Sequence, residues 1–134
     1  MQETLRTRKV AELIRQEVSR IIRDHVHDPK VKDVVITEVK VTRDLDLARI
    51  FFTSYVTGSE NKIKTGLDRS SGFIHKELVK SIRMKKVPKL EFVIDNSKEE
   101  ASRIDSLLNL IEKNEDSENV EDSILEENNS NLNK

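Results

Sequence analysis

The spacing of the apolar residues switches back and forth between two periods, and that succession is what most restricts the fold. Over 3–24, Val10, Leu13, Ile14, Val18, Ile21 and Ile22 recur every three or four residues, as in a helix with one buried stripe. His27-Asp28-Pro29 ends that helix, because the residue before a proline is pushed out of the α region. The period then drops to two. Val35, Thr37, Val39 and Val41 alternate with Ile36, Glu38, Lys40 and Thr42, the pattern of a half-buried strand. Beyond the polar stretch Arg43-Asp44-Leu45-Asp46 a second strand is expected, with Ala48, Ile50, Phe52 and Val56 on one face and Arg49, Phe51, Thr53 and Tyr55 on the other. So short a connection pairs the two strands as an antiparallel hairpin.

Residues 60–85 return to helical spacing, with Ile63, Leu67, Ile74, Leu78 and Ile82 within one arc at about 100° per residue. Ser70-Ser71-Gly72 interrupts this stretch with two serines on the apolar arc and a poor helix former. The stripe keeps its phase, so a kink between two helices is expected there, and Gly72→Val should damage the fold by stiffening it. Val87-Pro88 closes the region, and Leu90, Phe92 and Ile94 alternate with Glu91 and Val93 as a third strand. Asp95-Asn96-Ser97 offers caps for a last helix, whose apolar side is Ile104, Leu107, Leu108 and Ile111. The order α-β-β-α-kink-α-β-α describes an α+β domain with helices on one face of a three-stranded sheet. The third strand is expected beside the first, pointing the same way as the second.

Charge divides the chain where periodicity does not. Residues 1–95 carry 20 Lys+Arg against 14 Asp+Glu, whereas residues 96–134 carry 4 against 11, so a net charge of −1 conceals a basic part and an acidic one. From Asn114 the sequence is acidic, Asn- and Ser-rich and poor in apolar residues, the composition of a disordered tail. The expected division is therefore a folded domain over 1–112 and an acidic tail over 113–134. No cysteine is present, which excludes a disulfide scaffold, a thiolate metal site and a cysteine nucleophile. The N-terminal residues lack an apolar signal core, and no apolar run approaches the ~18 residues of a membrane helix. A cytoplasmic protein with no membrane partner is expected.

Signs of catalysis are sparse. His25 and His27 lie near Asp24 and Asp28, but no HExxH and no spaced His/carboxylate triad accompanies them, so no metal is expected. GxxxxGK[ST], GxGxxG and GxSxG are absent, which leaves a cofactor, a small-molecule substrate or a hydrolase reaction without a motif. Asp44 and Asp46 sit in a turn, where such residues ordinarily belong.

The informative pattern is cationic. With Ile63 as zero, Lys62, Arg69, Lys76, Lys80 and Arg83 project between about 200° and 260° at 100° per residue, and no acid of the segment shares that arc. Like charges gathered on one side repel unless a polyanion receives them. Lys85, Lys86 and Lys89 extend the run, and Arg8, Lys9, Arg15, Arg20 and Arg23 lie off the apolar stripe of the first helix beside Glu12. Aromatic residues for base stacking are few, Phe51 and Tyr55 being the candidates. Recognition of a structured RNA through its backbone and shape fits better than base reading. A generic single-stranded RNA module using Phe51 and Tyr55, and a protein-interaction adaptor, are the alternatives.

The stretches RTRKVAELIRQEVSRII, HDPKVKDVVITEVKVTRDL, SSGFIHKELVKSIRMKKVPKLEFVIDNS and RIDSLLNLI resemble the ribosome-binding factor A family of bacteria across roughly residues 3–112. The resemblance implies a KH-like fold of the bacterial type without a GxxG loop, with an Ala-x-Gly helix kink in its place. Here the matching triplet is Ser70-Ser71-Gly72, serine standing where alanine is usual. It further implies a non-enzymatic, monomeric assembly factor, needing no cofactor and associated with growth in the cold. Such a factor binds the free, immature small (30S) ribosomal subunit and its 16S rRNA and assists late maturation around the 5′-terminal helix. Matched to this sequence, the rRNA contacts would come from Arg6, Arg8 and Lys9, and from Lys76, Lys80, Arg83, Lys85 and Lys86, largely the residues that the charge pattern selects.

Overall fold

A computed structural model describes residues 3–132, with side chains described as far as residue 115. The elements are α1 (Leu5–His25), a 3-10 turn (Pro29–Val31), β1 (Val34–Val41), β2 (Leu47–Ser54), α2 (Glu60–Ser81), β3 (Lys89–Ile94) and α3 (Ser97–Leu132). Three helices and a three-stranded mixed sheet make an α+β fold. The chain forms one compact unit, Met1–Asp95, and a second, Asn96–Lys134. The boundary between the two units falls before α3, where the sign of charge changes.

α1 begins at a reciprocal cap: Thr7 N–H donates to Thr4 Oγ1 at 3.1 Å, and Thr4 N–H donates to Thr7 Oγ1 at 2.9 Å. Two of the helix's orphan donors are satisfied in this way. Its stripe buries Ile14, Val18, Ile21 and Ile22 as expected, but Leu13 is 40% exposed. Asp28 caps the turn that follows, its Oδ1 accepting from Lys30 N–H at 2.9 Å.

β1 and β2 pair antiparallel, from Val34↔Ser54 to Val41↔Ala48. The register shifts between Ile36 and Glu38, so an extra residue, Thr37, bulges out of β1. A bulge inverts the alternation. Val34 and Ile36 therefore share the core face with Val39 and Val41, and Val35 and Thr37 do not, contrary to the uninterrupted alternation expected. Thr37 turns its hydroxyl to Asp95 Oδ2, 2.5 Å away. β2 buries Ala48, Ile50 and Phe52 completely, but it ends at Ser54, which leaves Val56 half-exposed beyond it.

β3 lies beside β2, parallel to it, with Ala48↔Leu90, Ile50↔Phe92 and Phe52↔Ile94 in register. This corrects the expected place beside β1, although the direction is as expected. The order β1-β2-β3 puts the strand with the three fully buried side chains in the centre, flanked on both sides. The α2 crossover then joins two neighbouring parallel strands.

α2 buries Ile63, Leu67, Ile74 and Leu78, each with no exposed surface. It runs as one helix from Glu60 to Ser81, which corrects the expected division into two helices at Ser70-Ser71-Gly72. Ser71 Oγ donates to the Asp68 carbonyl at 3.0 Å, satisfying its hydroxyl within the helix, and the buried stripe spans both sides of the triplet. A Cβ on Gly72 would meet nothing within 4 Å. The close approach falls instead at Gly66, where a Cβ would lie 2.8 Å from Val31 Cγ1 and 3.2 Å from Lys30 Cβ.

α3 carries Glu99 and Glu100 in its first turn, where the helix dipole favours acids. Its backbone is helical as far as Leu132. No proline or glycine interrupts it, and its many Glu and Leu residues suit a helix. Residues 133 and 134 lie outside the described residues.

Two glycine substitutions should move stability in opposite directions. Gly66→Ala presses a methyl group into the stiff, buried Val31 and should cost about 1–3 kcal/mol. Gly72→Ala, open to solvent in mid-helix, should stabilise by about 0.5–1 kcal/mol. Gly72→Val likewise has room and should leave the fold intact. Thermal unfolding followed by circular dichroism checks all three.

Candidate nucleic-acid interface

The ten cations expected to contact RNA are exposed, and all but Arg8 gather in two places. The first is the flank of α2. The buried stripe fixes which way the helix faces, so Lys62, Arg69, Lys76 and Lys80 point roughly opposite to Ile63 and Ile74. From Lys62 to Lys80 this flank is about 27 Å long at 1.5 Å per residue. Lys80 shares its charge with Glu77, 3.6 Å away, and Lys64 pairs with Asp68 outside the arc. Arg83 lies past the helix, which is capped at Ile82 in an extended conformation, so its assignment to the helical arc is corrected. It is exposed nonetheless.

The second gathering joins separated parts of the chain. The first turns of α1, the β1–β2 turn and the connection between α2 and β3 enclose a depression of about 480 Å³. Arg6 and Lys9 reach it from α1, and Lys85 and Lys86 from the connection. Val10, Leu13, Leu45 and Met84 line it with hydrocarbon and a thioether, and Asp44 joins the rim. Lys86 pairs with Asp46. Arg6, Lys9 and Lys85 have no ion-pair partner among the described residues, and neither do Lys62, Arg69, Lys76 and Arg83. Arg8 stands apart from the depression, 3.4 Å from Glu3.

The remaining cations of α1 are engaged locally. Arg15 donates to Glu12 at 3.0 Å, and that hydrogen bond holds the Glu12 carboxyl below its ordinary value. Arg20 pairs with Glu17, and Arg23 with Asp24, whose carboxyl is lowered by the same kind of contact. Free positive charge on α1 is therefore concentrated in its first turns. Such surface pairs contribute little stability, but they reduce the field beyond them.

The aromatic candidates do not form a stacking platform. Phe51 is half-buried on the outer face of β2, with Lys40 Nζ 5.6 Å from its ring centre, and Tyr55 lies past the strand, 84% exposed. His25 and His27 are exposed. Among the described residues no group of three or more His, Asp or Glu could hold a metal ion.

Leu13, Leu45 and Met84 are the functional candidates that sequence reasoning missed. Leu13 reads as one more member of the buried stripe. Leu45 is a lone apolar residue in an otherwise charged turn, which was the available signal. It is only 7% exposed, with φ of 61°.

Neutralising the rim should test the gathering directly. An Arg6→Gln/Lys9→Gln/Lys85→Gln variant should weaken binding to a structured RNA and flatten the dependence of log Kd on log salt by about one unit for each phosphate no longer neutralised. Its melting temperature should stay within a degree or two, measured alongside.

The family model for Ribosome-binding factor A matches residues 6–108. The ribosome-binding factor A of Aromatoleum aromaticum is 38% identical over 122 residues, which cover 90% of this chain and 95% of the relative. The crystal structure of ribosome-binding factor A from Thermus thermophilus superposes with a TM-score of 0.62 at 16% identity, over 68% of this chain and 97% of that one. A Thermus thermophilus homology model fitted into a cryo-electron-microscopy map of a 30S complex matches with a TM-score of 0.52 at 16% identity, over 71% and 97%. The α+β, KH-like architecture expected from the sequence is the one these structures share.

Proposed function

The chain belongs to the ribosome-binding factor A family, a family of non-enzymatic assembly factors, and from that premise we propose that its basic compact unit docks on the small ribosomal subunit. The observation that supports this is that seven of the exposed cations without an ion-pair partner among the described residues, Arg6, Lys9, Lys62, Arg69, Lys76, Arg83 and Lys85, lie on the flank of α2 and near the ends of α1 and α2. A solvated surface ordinarily mixes signs, and this one is arranged for a polyanion. The ligand is 16S rRNA in the immature particle, near its 5′-terminal helix, and the contacts are to phosphates and to RNA shape.

The mechanism is binding alone. Occupying one rRNA conformation in preference to others shifts the population of the maturing particle toward it. No side chain need transfer a proton or hold a cofactor. Among the described residues no helix is long and apolar enough to cross a membrane. The protein acts as a monomer in the cytoplasm, as the family resemblance implies. Its effect is largest in the cold, where alternative RNA pairings persist longer.

Co-sedimentation with free small subunits tests this reading. A Lys76→Glu/Lys80→Glu/Arg83→Glu variant should lose most of its particle binding while its circular dichroism spectrum and melting temperature stay close to wild type. Undiminished co-sedimentation would assign docking to another surface and favour a protein-interaction adaptor.

A further inference from the structure

The depression between α1, the β1–β2 turn and the α2–β3 connection has a composition that phosphate recognition alone does not require. A phosphate site needs cations and N–H donors, whereas this floor is formed by Leu13, Leu45, Met84 and Val10. Leu13 is 40% exposed, a wide apolar face left in water in the midst of charge. The turn that brings Leu45 in is held firmly. Leu45 N–H donates to the Thr42 carbonyl at 2.9 Å, Thr42 Oγ1 donates to Asp44 Oδ1 at 2.7 Å, and Leu47 N–H donates to Thr42 Oγ1 at 3.0 Å. That turn keeps Leu45 at φ 61°, a backbone conformation that a branched L side chain rarely adopts, and buries it at the floor. Strain of this kind persists where the surroundings impose it, often at ligand sites.

We propose that this depression receives a single unstacked nucleotide of the bound RNA, its base lying on Met84 and Leu13 and its flanking phosphates on Arg6, Lys9 and Lys85. The proposal rests on the rRNA-binding reading and deepens it. An aromatic base is flat and apolar on its faces, which suits a hydrocarbon floor and a polarisable thioether, while its edges and backbone are polar and anionic. Asp44 adds one carboxylate acceptor at the rim for an N–H edge. Inorganic phosphate would leave the floor unused, and the side chains of an acidic peptide bring charge without a flat apolar face. Volume is sufficient, since about 480 Å³ lies within the range of small-ligand sites. Shape recognition by the α2 flank would then be supplemented by one residue that must be out of the stack, a feature that distinguishes an unfinished RNA from a fully paired one.

Two hairpin RNAs differing only at one bulged position, adenosine in the first and abasic in the second, test the proposal against the full chain. Wild type should bind the adenosine hairpin about tenfold more tightly, the range expected for one stacked base. Met84→Gln and Leu13→Gln leave charge unchanged, at a partly buried and a 40% exposed position respectively, and an unchanged circular dichroism spectrum confirms that each variant folds. Each should reduce the preference to below about twofold while leaving affinity for the abasic hairpin and the salt slope unchanged. Equal affinity of wild type for the two RNAs, or a full preference in both variants, overturns the pocket. So does a glutamate-rich peptide that displaces the RNA and loses its own binding in Met84→Gln, since the occupant would then be a peptide. Co-sedimentation of wild type with small subunits is read in parallel. Its failure alone sinks the ribosomal reading and leaves the measured base preference standing.

Discussion

Burial of one side of α2 is the constraint on which both the fold and its surface depend. Ile63, Leu67, Ile74 and Leu78 are withdrawn completely from water, each worth about 1.5–3 kcal/mol. Gly66 lets the helix come close to Val31 and the turn after α1. With that side committed, the helix has one rotational setting, and the cations at the opposite positions have one direction in which to point. Charge display is thus a by-product of core packing. Nothing has to hold the lysines individually, because the backbone that carries them is fixed from behind.

Much of this could be read from spacing, and what could not has identifiable physical causes. Most of the apolar stripes of α1 and α2 and the inward residues Ala48, Ile50 and Phe52 of β2 follow from periodicity, Leu13 excepted, since the phase of each repeat is kept along its element. β1 does not, because a single unpaired residue at Thr37 inverts the alternation and the sequence around it contains no glycine or proline to announce the event. The position of β3 depends on which strand edge is free, a property of the assembled sheet. Gly72 reads as a local helix breaker, whereas Gly66 matters through a neighbour far away in sequence. Of the basic depression, each cation is visible singly in the sequence, but the union of Arg6 and Lys9 with Lys85 and Lys86 is not. It requires the start of α1 to meet the chain just past α2, and that follows only from the tertiary arrangement.

The sign of charge changes where the compact unit ends. Whole-chain neutrality therefore says little about association, since local field rather than net charge governs encounter. Within that unit the distribution is again selective. Arg15, Arg20 and Arg23 are paired with acids on their own helix, whereas Arg6 and Lys9 are not. Positive charge left unpaired in one region and neutralised in another gives a local field with a direction, which uniform basicity would not.

The bulge in β1 has one more consequence. β1 is the outer strand on its side of the sheet, with one edge unpaired in the order β1-β2-β3. A straight outer strand offers a template on which another chain can add in register, the first step toward fibrils. An extra residue near the middle breaks that template into two short pieces whose pleats are out of step. A second molecule could match one piece or the other but not both, so in-register addition along this one edge of the sheet is disfavoured.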